Sequence, residues 1–181
     1  MSDNKAKPSK IEILREQLKQ MKFSISFKDC DEYIELTMTF DGHGIKPYER
    51  NRKSRFGGHM YDPLSTYKKE MLKIITPEIK KYVPTPLEGY CYIEIERYFK
   101  MPKDFSTKKR KYGLEKIFRP VLKKNDNDNV EKTTFDLFNN LIYKDDGQII
   151  ENTTRKYYND YEKTIINIKL YKEKMIIKGR I

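Results

Sequence analysis

The sequence is poor in the residues that build covalent or metal-clamped scaffolds. It holds only two cysteines, Cys30 and Cys91, and two histidines, His43 and His59. Two isolated thiols make neither a zinc cluster nor a disulfide framework, so a reduced, intracellular chain is expected. Neither histidine lies near a Ser or Cys motif, which leaves a nucleophilic triad unsupported. Phosphate loops of the GxGxxG and GxxxxGK[ST] kinds are absent, so no nucleotide cofactor is expected. No apolar run reaches membrane-spanning length, and the polar N-terminus lacks the pattern of a signal peptide. The expectation is a cytoplasmic protein with no membrane partner. There is no internal repeat, and no helix-turn-helix or zinc-finger signature.

What the chain has in excess is positive charge. Its 38 Lys and Arg against 27 Asp and Glu give a net charge of +11 and a pI near 9.4. Nucleic acid is the first candidate for an anionic partner, with a Lys-rich genome as the competing explanation. The 181 residues suggest one domain with extensions, and 37% hydrophobic residues suffice for a core.

Periodicity predicts the elements. Ile11, Leu14, Leu18 and Met21 fall on one face of an amphipathic helix. Residues 22–27 can form a short strand, and Glu32 to Phe40 alternates as a strand closed by Asp41-Gly42. Residues 44–61 read as a loop bearing Arg50, Arg52, Lys53 and Arg55 beside Tyr48 and Phe56, a mixture that suits either nucleic-acid backbone and bases or a plain solvated, mobile loop. Asp62 and Pro63 read as N-cap and first residue of a helix whose stripe is Leu64, Tyr67, Met71 and Ile74, with Pro77 kinking or ending it. Tyr90 to Phe99 is the most β-rich run and reads as a central strand. Residues 107–124 carry eight Lys or Arg against one acid, Glu115, and lead directly into an acidic segment. Residues 148–158 and 161–171 read as a hairpin turned at Asn159-Asp160.

The acidic segment organises the rest. Asp126, Asp128, Asp145 and Asp146 lie in one short strip with Lys132 among them. Asp128 and Glu131 suggest a capping box for a helix with Val130, Thr134, Leu137, Phe138 and Leu141 on its apolar face, fading after Tyr143. Asp128, Lys132 and Asp136 stack along another side. Asp145-Asp146-Gly147 reads as a turn into a strand. The outer aspartates can meet only if that strand runs back along the helix or the turn folds under. An EF-hand fails on counting, because Glu131 stands where the loop glycine belongs and Leu137 where the final Glu belongs. A plain helix cap explains Asp128 but not four carboxylates, which repel unless a cation or proton intervenes.

The run Asp126-x-Asp128-Asn129-x-x-Lys132-x-x-x-Asp136, followed by Tyr143-x-Asp145-Asp146-x-Gln148 and Lys156, resembles the RusA-type Holliday junction resolvases. Asn125 stands where that family usually has Pro. The resemblance implies a small dimeric endonuclease of phage or prophage type that cuts four-way DNA junctions with Mg²⁺, for which Mn²⁺ can substitute. It implies that Asp126, Asp128 and Asp146 hold the metal, with Asp145 ligating or behind them, and that Lys132 meets the scissile phosphate. Arg50, Arg52, Lys53, Arg55, Arg119, Lys123, Lys124 and Lys156 are the expected DNA-backbone contacts. A homodimer follows from the resemblance and from the two matched cuts that a two-fold junction needs. The expected fold is α+β, a single domain with a mixed β-sheet and helices mainly on one face. Residues 1–30 form a tail and helical extension, and 31–181 the endonuclease domain. The competing reading is a non-enzymatic phage DNA-binding protein whose Asp cluster is only a cap.

Overall fold

The computed structural model describes residues 8–42, 44–54, 57–121 and 126–172. Among these residues, four α-helices and a five-stranded mixed sheet build an α+β domain. Helix α1, Lys10–Gln20, begins at a capping box in which Ser9 and Glu12 bond each other's backbone amides. It buries Leu14 and Leu18, while Ile11 is 44% exposed. Strands β1, Lys22–Asp29, and β2, Tyr33–Asp41, then pair antiparallel over their full length, so β1 is an edge strand of the main sheet.

The loop after β2 contains the two-residue strands β3, Arg52–Lys53, and β4, Met60–Tyr61. Helix α2 spans Ser65–Ile79. It starts later than the sequence suggests, because the Asp62 side chain accepts from the Leu64 amide and holds a turn ahead of it. Its buried stripe runs through Tyr67, Met71, Ile75 and Ile79, not Ile74. Pro77 does not end the helix, which runs on to Ile79. It lies in the last turn, where its missing N–H removes one bond near an end that frays anyway. Strand β5, Cys91–Lys100, follows, then the short helix α3, Thr107–Leu114, capped by Ser106 in a stretch that reads as irregular.

Helix α4 spans Asn127–Phe138 and ends before Tyr143. A 3₁₀ turn at Asp146–Gln148 leads into β6, Ile149–Asn159, and β7 is Lys163–Tyr171. Both predicted strands exist, but they are not a hairpin. The sheet order is β1-β2-β7-β5-β6, with β5 inserted between β7 and β6 and parallel to β6. The turn at Asn159-Asp160 therefore steps across one strand. Local turn chemistry could not reveal this, since the partner of a strand depends on the whole chain.

Register sets the chemistry of the covered sheet face. One row across it is Ile25, Met38, Ile166, Ile95 and Thr154; another is Phe27, Leu36, Ile168, Ile93 and Asn152. The row at the end of β5 is Phe23, Phe40, Thr164, Arg97 and Lys156. The face is apolar from β1 to β5 and turns polar along β6 and at Arg97. An apolar sheet face needs a lid, and the buried stripes of α1, α2 and α4 join its residues in one core. The polar corner lies under the start of α4, where the Asn127 amide donates to the Thr154 carbonyl at 3.1 Å.

Candidate active site

The start of α4 meets the polar corner of the sheet. Asp126 is the N-cap residue, but its side chain makes no capping hydrogen bond, and Asp128 sits in the first turn. This corrects the expected capping box at Asp128 and Glu131. The helix dipole favours carboxylates at this end, while neither side chain is tied up in closing the helix. The cap-only explanation of the acidic pair thus loses its physical basis. Asp128 lies 3.8 Å from Lys132 one turn on, with both side chains more than half exposed. The Lys132 ammonium is also 5.8 Å from the centre of the Tyr48 ring.

Asn127 and Asn129 are structural. Asn127 ties the helix to β6, and its own Oδ1 is buried without a partner, as is Thr154 Oγ1. The Asn129 carbonyl accepts from the Tyr48 amide at 2.7 Å. Together with Ile45 N to Thr164 Oγ1 and Lys46 N to the Tyr67 hydroxyl, that bond fixes the base of the Arg-rich loop against α4 and the sheet. Arg50, Arg52 and Lys53 are exposed beyond this anchor, and Arg52 pairs with Glu49 at 2.6 Å. Arg119 is exposed and stacks 5.1 Å from the Tyr157 ring, at the β6 edge. Arg55, Lys123 and Lys124 lie outside the described residues.

Lys156 on β6 feels Asp126 and Asp128, so the strand does return along α4 to their end of it. Burial pushes its ammonium below the usual lysine range, the neighbouring Arg97 adds to this, and the two aspartates oppose it. Arg97 is 5% exposed, and its burial lowers it to about 10.

Asp145 and Asp146 do not join this group. Among the described residues, no set of three or more His, Cys, Asp or Glu converges to hold a metal ion. The α4 helix is 12 residues long, about 18 Å, and the second pair stands near its far end. There Tyr143 is buried, donates to the Phe135 carbonyl at 3.0 Å, and feels the charges of Asp146 and Asp136. Each motif residue here has a local task. Asp145 accepts from the Gly147 amide. Gln148 accepts from the amides of Lys144 and Asp145 and donates to the carbonyls of Leu87 and Gly89, pinning the turn to the segment before β5. Asp136 pairs with Lys68 at 2.7 Å, and Lys68 with Asp62 at 3.0 Å, which docks α4 on α2. Asp146 is exposed at the start of the 3₁₀ turn.

Sequence reading did not single out Arg97 as a buried cation beside Lys156. The signal was present: Cys91, Ile93 and Ile95 set an inward apolar alternation that Arg97 interrupts.

A basic α+β domain thus sets two carboxylates that do not cap their helix near a buried Arg97 and a partly buried Lys156. The family model for endodeoxyribonuclease RusA matches residues 44–169, from the anchored loop to β7. The chain belongs to the RusA endodeoxyribonuclease family and is an endonuclease of the Holliday junction resolvase class. It is also 33% identical over 114 residues to the uncharacterized protein YqaN of Bacillus subtilis (strain 168), a match covering 61% of this chain and 78% of that one. Among the described residues, no helix is long and apolar enough to cross a membrane.

Proposed function

We propose that this protein is a Mg²⁺-dependent, cytoplasmic endonuclease that resolves four-way DNA junctions by paired symmetric nicks, acting as a homodimer. One observation carries the reading. The acidic pair Asp126 and Asp128, unengaged by helix capping, faces the cationic corner formed by Lys156 and Arg97.

The donor set fits Mg²⁺, which takes one or two carboxylates plus waters and phosphate oxygens. Asp126 and Asp128 would hold the ion. When bound, it supplies a water of lowered pKa and Lewis acidity at phosphorus. Lys132 and Lys156 flank the pair and orient the scissile phosphate, offsetting the charge that builds on its oxygens. The loop bearing Arg50, Arg52 and Lys53, with Arg119 and the adjoining Lys123 and Lys124, grips the junction arms.

Asp146 stands at the opposite end of α4 and joins the ion only from a second copy of the chain. In this reading Asp145 supports it by holding the turn. A dimer that completes both sites across its two-fold axis couples the cuts to the symmetry of the substrate.

The test is a four-way junction labelled on each strand in turn, incubated with and without Mg²⁺. Symmetric nicks that require the ion support the proposal. A junction that is bound but left uncut overturns it.

A further inference from the structure

Residues 44–47 cross the ends of β5 and β7 and leave a cleft of about 220 Å³, lined among others by Lys46, Arg97, Phe99, Glu162 and Lys163. Arg97 is the unusual member. It is almost fully buried, with its guanidinium 4.7 Å from the Phe99 ring centre. One of its terminal nitrogens, Nη2, donates to the Ile45 carbonyl at 3.3 Å, and the other, Nη1, has no partner in the structure. A buried cation with an idle donor destabilises a fold unless something pairs with it. Among the described residues, Glu162 is the one acid lining the cleft and sits at its exposed rim, against three cationic side chains. Lys156 adds a fourth cation beside Arg97 in the β5–β6 register. Glu162 acts on Arg97, and Asp126 and Asp128 act on Lys156, so four cations face three acids and the idle Arg97 donor is left for an anion.

We infer that this cleft is a phosphate pocket, in which Arg97 and Lys46 hold a backbone phosphate of the DNA strand whose neighbouring phosphodiester lies at Asp126 and Asp128; this rests on the nuclease reading above. The planar guanidinium fork matches phosphate oxygens, and Lys46 supplies a compact second charge. The route from cleft to acidic pair is continuous. The backbone that forms the cleft wall runs on to Tyr48, whose amide bonds the Asn129 carbonyl in the first turn of α4. A strand seated in the cleft is thereby led to the helix start. The same contact explains why a structurally costly arginine sits where the neighbouring rows carry isoleucine.

The test uses the full chain, Arg97→Gln, Arg97→Lys and Lys46→Gln. Junction affinity is measured by fluorescence anisotropy across a NaCl series in EDTA, and cleavage of the same junction in Mg²⁺. Arg97→Gln and Lys46→Gln are each expected to weaken binding roughly tenfold at low salt. Each is expected to reduce the slope of log affinity against log salt by about 0.9. Arg97→Lys keeps the charge and is expected to keep the slope. Because Arg97 also anchors Ile45, Lys46→Gln is the decisive variant. Wild-type affinity and slope in Lys46→Gln, at unchanged melting temperature, overturn the pocket while wild-type cleavage leaves the nuclease reading intact. Reduced slopes in a protein that cuts nothing in Mg²⁺ overturn the nuclease reading and keep the phosphate contact.

Discussion

Arg97 and Lys156 stand side by side in the parallel pairing of β5 and β6, two cations on a sheet face that is otherwise apolar in its central rows. Burial lowers both, and Arg97 further lowers Lys156. Their folded pKa values lie below the unfolded ones, so between the two values the unfolded chain binds more protons. Stability therefore rises with pH as this penalty is relieved, and the penalty is fully present at neutral pH. Lys156→Gln should melt higher than wild type at pH 7, and the gap should narrow as pH approaches the ordinary lysine range. A gap that is constant from pH 7 to 10 would show that Lys156 carries no burial penalty.

Gln148 illustrates a motif residue whose work is architectural. Its amide makes four backbone hydrogen bonds across the turn before β6. At about 0.5–1.5 kcal/mol net each, Gln148→Ala should lower unfolding free energy by about 2–6 kcal/mol in urea titration. Cleavage per folded molecule should stay near wild type. Lost cleavage at unchanged stability would instead make Gln148 a substrate contact.

The two acidic pairs test the dimer. Asp126→Asn and Asp146→Asn chains, each inactive alone, are mixed and allowed to exchange subunits. If Asp146 acts across the axis, one site of each mixed dimer has all its carboxylates, and single-strand nicking returns to as much as half of the wild-type rate per dimer. If each chain supplies its own Asp146, every site in the mixture carries a substitution and no nicking returns.

Much of the fold was legible because periodicity reports burial. The α1 stripe, the alternation of β5 and the apolar side of α4 all carry their pattern in sequence. The insertion of β5 between β6 and β7 was not legible, since alternation says which face is buried and nothing about which strand lies beside it. How the acidic strip is arranged in space was not legible for a related reason. Asp126 and Asp146 are close in sequence, yet a rigid helix of 12 residues lies between the pairs. Conversely, Arg97 and Lys156 are far apart in sequence and become neighbours only through a parallel pairing that no local signal announces.

A divalent ion that binds only the folded chain stabilises it, by about 2.7 kcal/mol at a hundredfold excess over Kd. Melting temperature should rise with Mg²⁺ or Mn²⁺ and not with Na⁺ at matched ionic strength. Lys132→Ala should keep that shift while cutting more slowly, as the proposed role of Lys132 at phosphate rather than metal requires. Loss of the shift in Lys132→Ala would place Lys132 in support of the ion itself.

The central claim is that the carboxylates at the start of α4 cut DNA. The direct measurement is binding and Mg²⁺-dependent cleavage of one labelled four-way junction by wild type, Asp126→Asn and Asp128→Asn. Removing a negative charge beside phosphate should leave affinity equal or slightly higher, while cleavage falls by a factor of at least about 10². Cleavage at the wild-type rate in both variants, with binding unchanged, would contradict the account.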